Sequence, residues 1–291
     1  MTDIELGEAY TWAAARAAGA TRGQIRRDGV RLGKGLYLSS AAEPDLRTRC
    51  AAWAPVLPDD AAFGLWTAAE LLGAPARRSS VHVVLSPRLS LPRRAGLVVH
   101  ARGIAAADVV DLDGLAVTSG PQTWLDLAPL LPPQELVAVG DALMRGGHLT
   151  ADDLAARLAR AGGLRGVVRA RECAPLLDGR AASRPESLTR YWLVTSDLPA
   201  LEIQMPVHDR WGREVVHADL GWSRWRVAVE YEGRQHADHD QFGRDLDRYS
   251  LMAADGWLLL RFAARHVDGP TVVVERCRRA LLSRGWRPDS P

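Results

Sequence analysis

The sequence predicts an α/β chain, on three observations. The stretch Arg226–Glu232 (RVAVEYE) alternates apolar and polar residues as a half-buried strand does. Runs such as ELVAVGDALMRGGHL carry the apolar spacing of helices. Trp257–Phe262 (WLLLRF) is a near-continuous apolar run after Gly256, which reads as a strand at a sheet centre, covered on both faces. The 291 residues suggest about two domains by length alone. Pattern and composition divide them further, into a basic segment 1–40, a mixed α/β middle 41–178 and a last domain 179–291 that opens at the polar break DGRAASRPES.

The N-terminal segment is read element by element. Thr11 can cap a helix through Ala18, which Gly19 stops. Thr21 can cap a second helix, Arg22 to Asp28, ended by Gly29. VRLGKGLYLS then reads as two short strands around Gly33 and Gly35. Helix, turn, helix and a glycine-centred hairpin is the order of a winged helix-turn-helix. Between Thr11 and Ser40, Arg16, Arg22, Arg26, Arg27, Arg31 and Lys34 face one acid, Asp28. That local excess suits phosphate contacts, and Arg22, Gln24, Arg26 and Arg27 suit base edges as well. A solvated arginine-rich hairpin that docks on the next domain is the plainer alternative.

The middle segment is periodic and chemically quiet. FGLWTAAELLGAP reads as a helix, VHVVLSP and AGLVVHAR as strands joined by an arginine-containing turn, and LAVTSGPQTWLDLAPLL as a strand leading into a helix with Ser119 as its cap. ELVAVGDALMRGGHL and LTADDLAARLARA are further helices, the second with Asp152 and Asp153 in its first turn. His82, His100 and His148 are scattered and read as structural. There is no glycine-rich phosphate loop, Ser-His-Asp signature or zinc spacing here.

Composition narrows the function classes. The hydrophobic fraction of 47% and charged fraction of 25% are those of a globular protein, and net charge is only +2, so a nucleic-acid surface must come from local asymmetry. Lys34 is the sole lysine, the other basic residues being arginine. No apolar run approaches the ~20 residues that span a bilayer. The first residues, MTDIELGEAY, lack a signal pattern. Cys50, Cys173 and Cys277 are odd in number and far apart, as expected of buried thiols in a reducing cytoplasm.

The candidate chemistry lies between His217 and Phe262. In the last domain Ser183 or Ser187 can cap a helix through Tyr191 and Trp192, with Glu186 at its beginning, and Ile203–Val207 and Glu214–Leu220 read as strands around a DRWG turn. On Arg226–Glu232, Val227, Val229 and Tyr231 point one way and Ala228, Glu230 and Glu232 the other. Asp219 is expected to end the preceding strand, and the GWSRW connection suits a hairpin that sets it beside Glu230. Neighbouring carboxylates repel unless a cation or proton lies between them. Magnesium takes one or two carboxylates with waters and substrate phosphate, so Asp219 and Glu230 are the candidate Mg2+ (or Mn2+) ligands. Gln235 and His236, where the chain leaves the strand, are candidates to orient water or move a proton. An acidic strand paired with nearby arginines is the plainer alternative. Asp245 and Asp247 precede Arg248 on a predicted helix to Ala254; Arg248 and Arg261 can reach a phosphate or form structural ion pairs. VVVERCRRALLSRGW is an amphipathic helix with an arginine-rich outer face.

These residues carry two resemblances. From Ser183 to Trp286, the elements SRPES, HADL, VAVEYEGRQH, DLDR and GWLLLRF resemble a bacterial domain related to very-short-patch-repair endonucleases, which have the PD-(D/E)xK core of restriction-endonuclease-like nucleases. The resemblance implies an αβα sandwich around a mixed sheet and magnesium-dependent phosphodiester cleavage. It assigns Asp219 as the metal-binding aspartate, Glu230 as the second acidic ligand and Glu186 as a helix acid. Where the general motif has lysine, this chain has Glu232, as the related branch also departs, which leaves Gln235 and His236 as candidates for activating water. YTWAAARAAGATRGQIRR followed by LGKGLYLS is similar to the winged helix of AbiEi-type antitoxins and related transcriptional regulators, which in that group binds promoter DNA. Two functional readings follow, beside a plainer one in which the chain is a structural or protein-interaction module that binds no nucleic acid. One is a cytoplasmic, magnesium-dependent DNA endonuclease with an N-terminal DNA-binding winged helix. The other is a non-catalytic DNA-binding regulator or antitoxin on a degenerate nuclease fold, with a cognate toxin as partner.

Overall fold

The computed structural model describes residues 6–43, 45–76, 78–88, 91–232 and 249–288. The fold is α/β, and it divides into two compact units, Met1–Leu130 with Gly146–Val167, and Leu131–Arg145 with Val168–Pro291. The three segments expected from sequence regroup accordingly: 1–40 joins most of the middle, while 131–145 and 168–178 join the last domain.

The first unit opens with β1 (Ala9–Thr11), α1 (Trp12–Ala17), α2 (Arg22–Asp28), β2 (Gly29–Gly33) and β3 (Leu36–Ser39). Both expected caps are made. Thr11 accepts from Ala14 N–H, and Thr21 and Gln24 form a reciprocal capping box. A strand not foreseen, β1, pairs antiparallel with β3 and completes a three-stranded sheet in the order β1-β3-β2. Tyr10, Ala15, Ala20 and Ile25 form the small core beneath it. Gly29 is required there: a Cβ would sit 2.2 Å from the Tyr10 hydroxyl and 2.7 Å from the Ile25 carbonyl.

The rest of the unit is α3 (Leu46–Trp53), β4 (Ala62–Phe63), α4 (Leu65–Leu71), β5 (Val81–Leu85), β6 (Leu97–Ala101), β7 (Val109–Leu112), β8 (Leu115–Thr118) and α5 (Gly120–Leu127). The five strands form one sheet in the order β6-β5-β4-β8-β7. Here β5 and β6 pair in parallel, so their connection is a crossover and not a hairpin turn. Ser119 stands at the N-cap position of α5 but makes no side-chain cap.

The second unit is built from α6 (Pro133–Arg145), with α7 (Ala151–Ala159) belonging to the first, then α8 (Val167–Cys173), α9 (Arg184–Val194), β9 (Glu202–His208), β10 (Glu214–Trp222) and β11 (Val227–Tyr231). It continues through the helical residues 249–254 (α10), β12 (Leu258–Phe262), α11 (Ala264–Val267) and α12 (Pro270–Ser283). α6 is tied to α9 by a fully buried pair, Arg190 to Asp141 at 2.7 Å, and by Arg184 to Glu135. Its four strands run β12-β11-β10-β9, with β11–β12 parallel and the other pairs antiparallel. Val227 and Val229 pack with α9 and α12 residues such as Leu188, Val273 and Cys277 on one face. Ala228 packs with Met205, Met252 and Trp257 on the other, so the predicted alternation of β11 holds.

Two strand expectations are corrected. β12 lies at the edge of the four described strands, not the centre. Its apolar run is explained by cover on both faces, Leu258 and Leu260 packing against one core and Leu259 against the other. Asp219 does not end its strand, because ladder pairing continues through Trp222. Cys50, Cys173 and Cys277 are free and buried, and burial pushes the Cys50 and Cys277 thiols up to about 12. Among the described residues no helix is long and apolar enough to cross a membrane.

Candidate functional site

Asp219 on β10 and Glu230 on β11 each lie one residue beyond the Leu220–Val229 pair of the β10–β11 ladder. Leu220–Val229 is the last pair of that ladder, and beyond it the Asp219 carboxylate reaches the Tyr231 N–H, the residue after Glu230. The Glu230 residue is only 7% exposed, and Asp219 is half-buried. The turn between the strands, Ser223–Trp225, closes through Arg226 in the left-handed region at φ 51°. Gly221 permits the close approach beside the pair, since a Cβ there would lie 2.6 Å from the Val227 carbonyl and 2.5 Å from the Met205 methyl.

The backbone is distorted at this point. On β9 the ladder skips from Met205 to Ile203, and the residue between, Gln204, has φ 50°. Ala218 and Leu220, two apart on β10, lie in different cores, so the facing of β10 shifts at Asp219. A non-glycine residue held in this region is strained, and such strain concentrates at functional sites.

The Asp219 carboxylate accepts the Tyr231 N–H through Oδ2 at 2.9 Å. Glu232 reaches Arg261 at 2.5 Å, so it is held in an ion pair. Arg261 also lies 4.4 Å over the Tyr249 ring. Glu186 closes the N-terminus of α9, accepting from Ala182 N–H and the Ser183 hydroxyl, each at 2.8 Å. Ser183, one of the two expected caps, is the N-cap. Gln235, His236 and Arg248, with Asp245 and Asp247, lie outside the described residues. Among the described residues no three His, Cys, Asp or Glu side chains converge to hold a metal ion. Asp219 and Glu230 are two carboxylate oxygen donors, the number that magnesium takes together with waters and phosphate.

In the first unit Arg22, Arg26, Arg27, Arg31 and Lys34 are exposed. Arg27 pairs with Asp28 at 3.0 Å at the surface, and Arg31 Nε donates to the Gly33 carbonyl at 3.2 Å. The Gln24 side-chain oxygen accepts the Thr21 N–H at 2.8 Å, which commits that oxygen to the cap of α2.

Sequence reasoning passed over a polar network in the same unit. Asp126 accepts from Arg102 and from Gln122 Nε2 at 2.6 Å. Gln122 in turn accepts from buried Arg157, which faces Asp108 at 3.5 Å, and Arg160 closes on Asp108 at 2.7 Å. Burial raises the Asp126 carboxyl to about 6 against the opposing pull of Arg102 and Gln122. His82 Nδ1 and His100 Nε2 are 3.0 Å apart in stacked rings. Burial, then His100, drives His82 down to about 4, and burial also lowers His100. The available signal was Gln122 and Asp126, four apart on a helix that also carries Trp124, Leu125 and Leu127.

An α/β chain with a helix-turn-helix-and-hairpin N-terminus and paired carboxylates on a mixed sheet is the class that fold and site define. Two proteins of Mycobacterium tuberculosis, uncharacterized protein Rv2248 (strain H37Rv) and uncharacterized protein MT2308 (strain CDC 1551), are each 32% identical to it over 239 residues, covering 81% of this chain and 86% of the relative. The chain belongs to their family. No family model matches it. Among solved structures, the RV2827C protein from Mycobacterium tuberculosis matches 63% of this chain and 75% of its own, at 18% identity and a TM-score of 0.41, too slight a likeness to argue from.

Proposed function

We propose that the chain is a metal-dependent DNA endonuclease that hydrolyses phosphodiester bonds, with the N-terminal unit holding DNA. The observation that carries this reading is buried Glu230 on β11 with Asp219 on the neighbouring strand β10, whose carboxylate accepts the N–H of the residue after Glu230. A cation held by two neighbouring carboxylates offsets their mutual repulsion. Asp219 and Glu230 would hold Mg2+ or Mn2+, which when bound neutralises charge on a phosphodiester and lowers the pKa of water. The chain's own part is to orient: Tyr231 N–H fixes one Asp219 oxygen, and the Arg261–Glu232 pair holds the end of β11 beside β12. The exposed Arg22, Arg26 and Arg27 supply the cationic surface for the DNA backbone.

A second reading, a DNA-binding regulator or AbiEi-type antitoxin with a cognate toxin, is favoured by the two-member ligand set and by the engagement of Glu186 and Glu232 elsewhere. The test is cleavage of plasmid, linear duplex and mismatched DNA by the full chain with magnesium, manganese or EDTA, beside Asp219→Asn and Glu230→Gln. Metal-dependent cutting lost in both variants supports the nuclease. Equal DNA binding by all three proteins with no cutting on any substrate supports the regulator.

A further inference from the structure

The first unit contains a cleft of about 410 Å³ between α5, the end of β6, the start of α4 and the Leu164–Arg165 loop. That lies within the ~300–1,000 Å³ range of small-ligand pockets. Its floor is prepared in advance. The Asp126 side chain is 10% exposed, Arg102 clamps it from one side and Gln122 from the other, and Gln122 is itself held by Arg157. A polar group fixed by such a supporting layer is the arrangement that binding sites need. His100 lines the same cleft, held in place by His82 behind it.

Two features of the wall and mouth point to a ligand. Leu65 lines the cleft with φ 52°, a left-handed conformation that is costly for a leucine. At the mouth Leu164 is 43% exposed and Arg165 is exposed, forming no hydrogen bond or ion pair among the described residues. An apolar wall and an uncommitted guanidinium over a hydrogen-bonding floor suit a molecule with an apolar body and an anionic head.

We propose that this cleft is a binding site for a small organic anion, with Leu65 and Leu164 against its apolar body, Arg165 on its charged head, and His100 with the Arg102–Asp126 pair as the polar floor. The site is independent of the phosphodiester chemistry proposed for the second unit. A ring carboxylate and a nucleoside monophosphate share this chemistry, and the test separates them.

The full chain is titrated by calorimetry with benzoate, with adenosine monophosphate, and with inorganic phosphate as a head-only control. Arg165→Glu and Arg165→Lys serve as variants, since an exposed side chain can be changed without unfolding the unit. We expect saturable binding of one organic probe, a loss of about tenfold or more in Arg165→Glu, partial retention in Arg165→Lys, and phosphate at least about tenfold weaker. The probe that binds identifies the source of the anion. Failure of both organic probes to saturate by about 10 mM, or binding unchanged in Arg165→Glu, overturns the proposal, the latter because the probe would then occupy another surface.

Discussion

The Tyr231 N–H donates to Oδ2 of Asp219 at 2.9 Å, so a side chain of β10 fastens the end of β11. One carboxylate thereby has a structural bond and a proposed chemical role, and substitutions can separate the two. Asp219→Ala is expected to cost about 1.5–3 kcal/mol, the range for hydrogen bonds to charged groups. Asp219→Asn keeps an acceptor oxygen and is expected to cost less. Both should abolish cleavage if Asp219 holds the metal. Guanidinium unfolding beside a plasmid assay reads both quantities, and cutting by Asp219→Asn would remove the ligand role.

The Arg190–Asp141 pair joins α9 to α6 within the second unit. Both side chains are buried, and Asp141 also accepts the Asp178 N–H at 2.7 Å. Burial raises the Asp141 carboxyl, with Arg190 pulling against it. Asp141→Ala leaves a guanidinium buried without its partner, an expected loss of about 3–5 kcal/mol. The double variant Asp141→Leu/Arg190→Met should lose less than the sum of the single changes, measured by urea unfolding as a double-mutant cycle.

On α2, neighbouring side chains are expected to differ in kind. Arg22→Ala, Arg26→Ala and Arg27→Ala should each weaken DNA binding and reduce the log–log salt slope by about one. Gln24→Ala should cost about 1 kcal/mol of stability through the lost cap, with little change in salt dependence. Fluorescence anisotropy across a potassium chloride series distinguishes them, and a Gln24→Ala change in sequence preference would show that its amide reads a base.

The Asp126 and His82 titrations oppose one another. Asp126 is raised from 3.8 to about 6, so its relative stabilisation is present below the unfolded value and lost as pH rises from about 4 to about 6. His82 is lowered from 6.5 to about 4, so the unfolded chain binds the proton first and stability rises with pH over about 4 to 6.5. Asp126→Asn should therefore steepen the gain in melting temperature between pH 4 and 6, about the window of both shifts, and His82→Gln should flatten or reverse it. Parallel profiles for wild type and both variants would refute the assignment.

Elements set by near neighbours were legible in the sequence. Thr11, Thr21 and Ser183 each cap a helix within three residues of themselves, so residue type and spacing suffice. The facing of Val227, Val229, Ala228 and Glu230 follows from the two-residue period of a strand. The buried thiols follow from isolated cysteines in apolar surroundings.

Contacts between residues distant in the chain were not legible. The parallel pairing of β5 with β6, the addition of β1 to β3 and the edge position of β12 depend on which strands meet, and an apolar run is the same whether its cover comes from strands or helices. The Asp126 network escaped notice because Arg102, Gln122 and Arg157 converge from three separate elements. The sequence by itself determined the local periods, the caps and the two acids that could meet. Only the tertiary structure decided which polar groups lose water together, because desolvation depends on neighbours that folding brings from elsewhere in the chain.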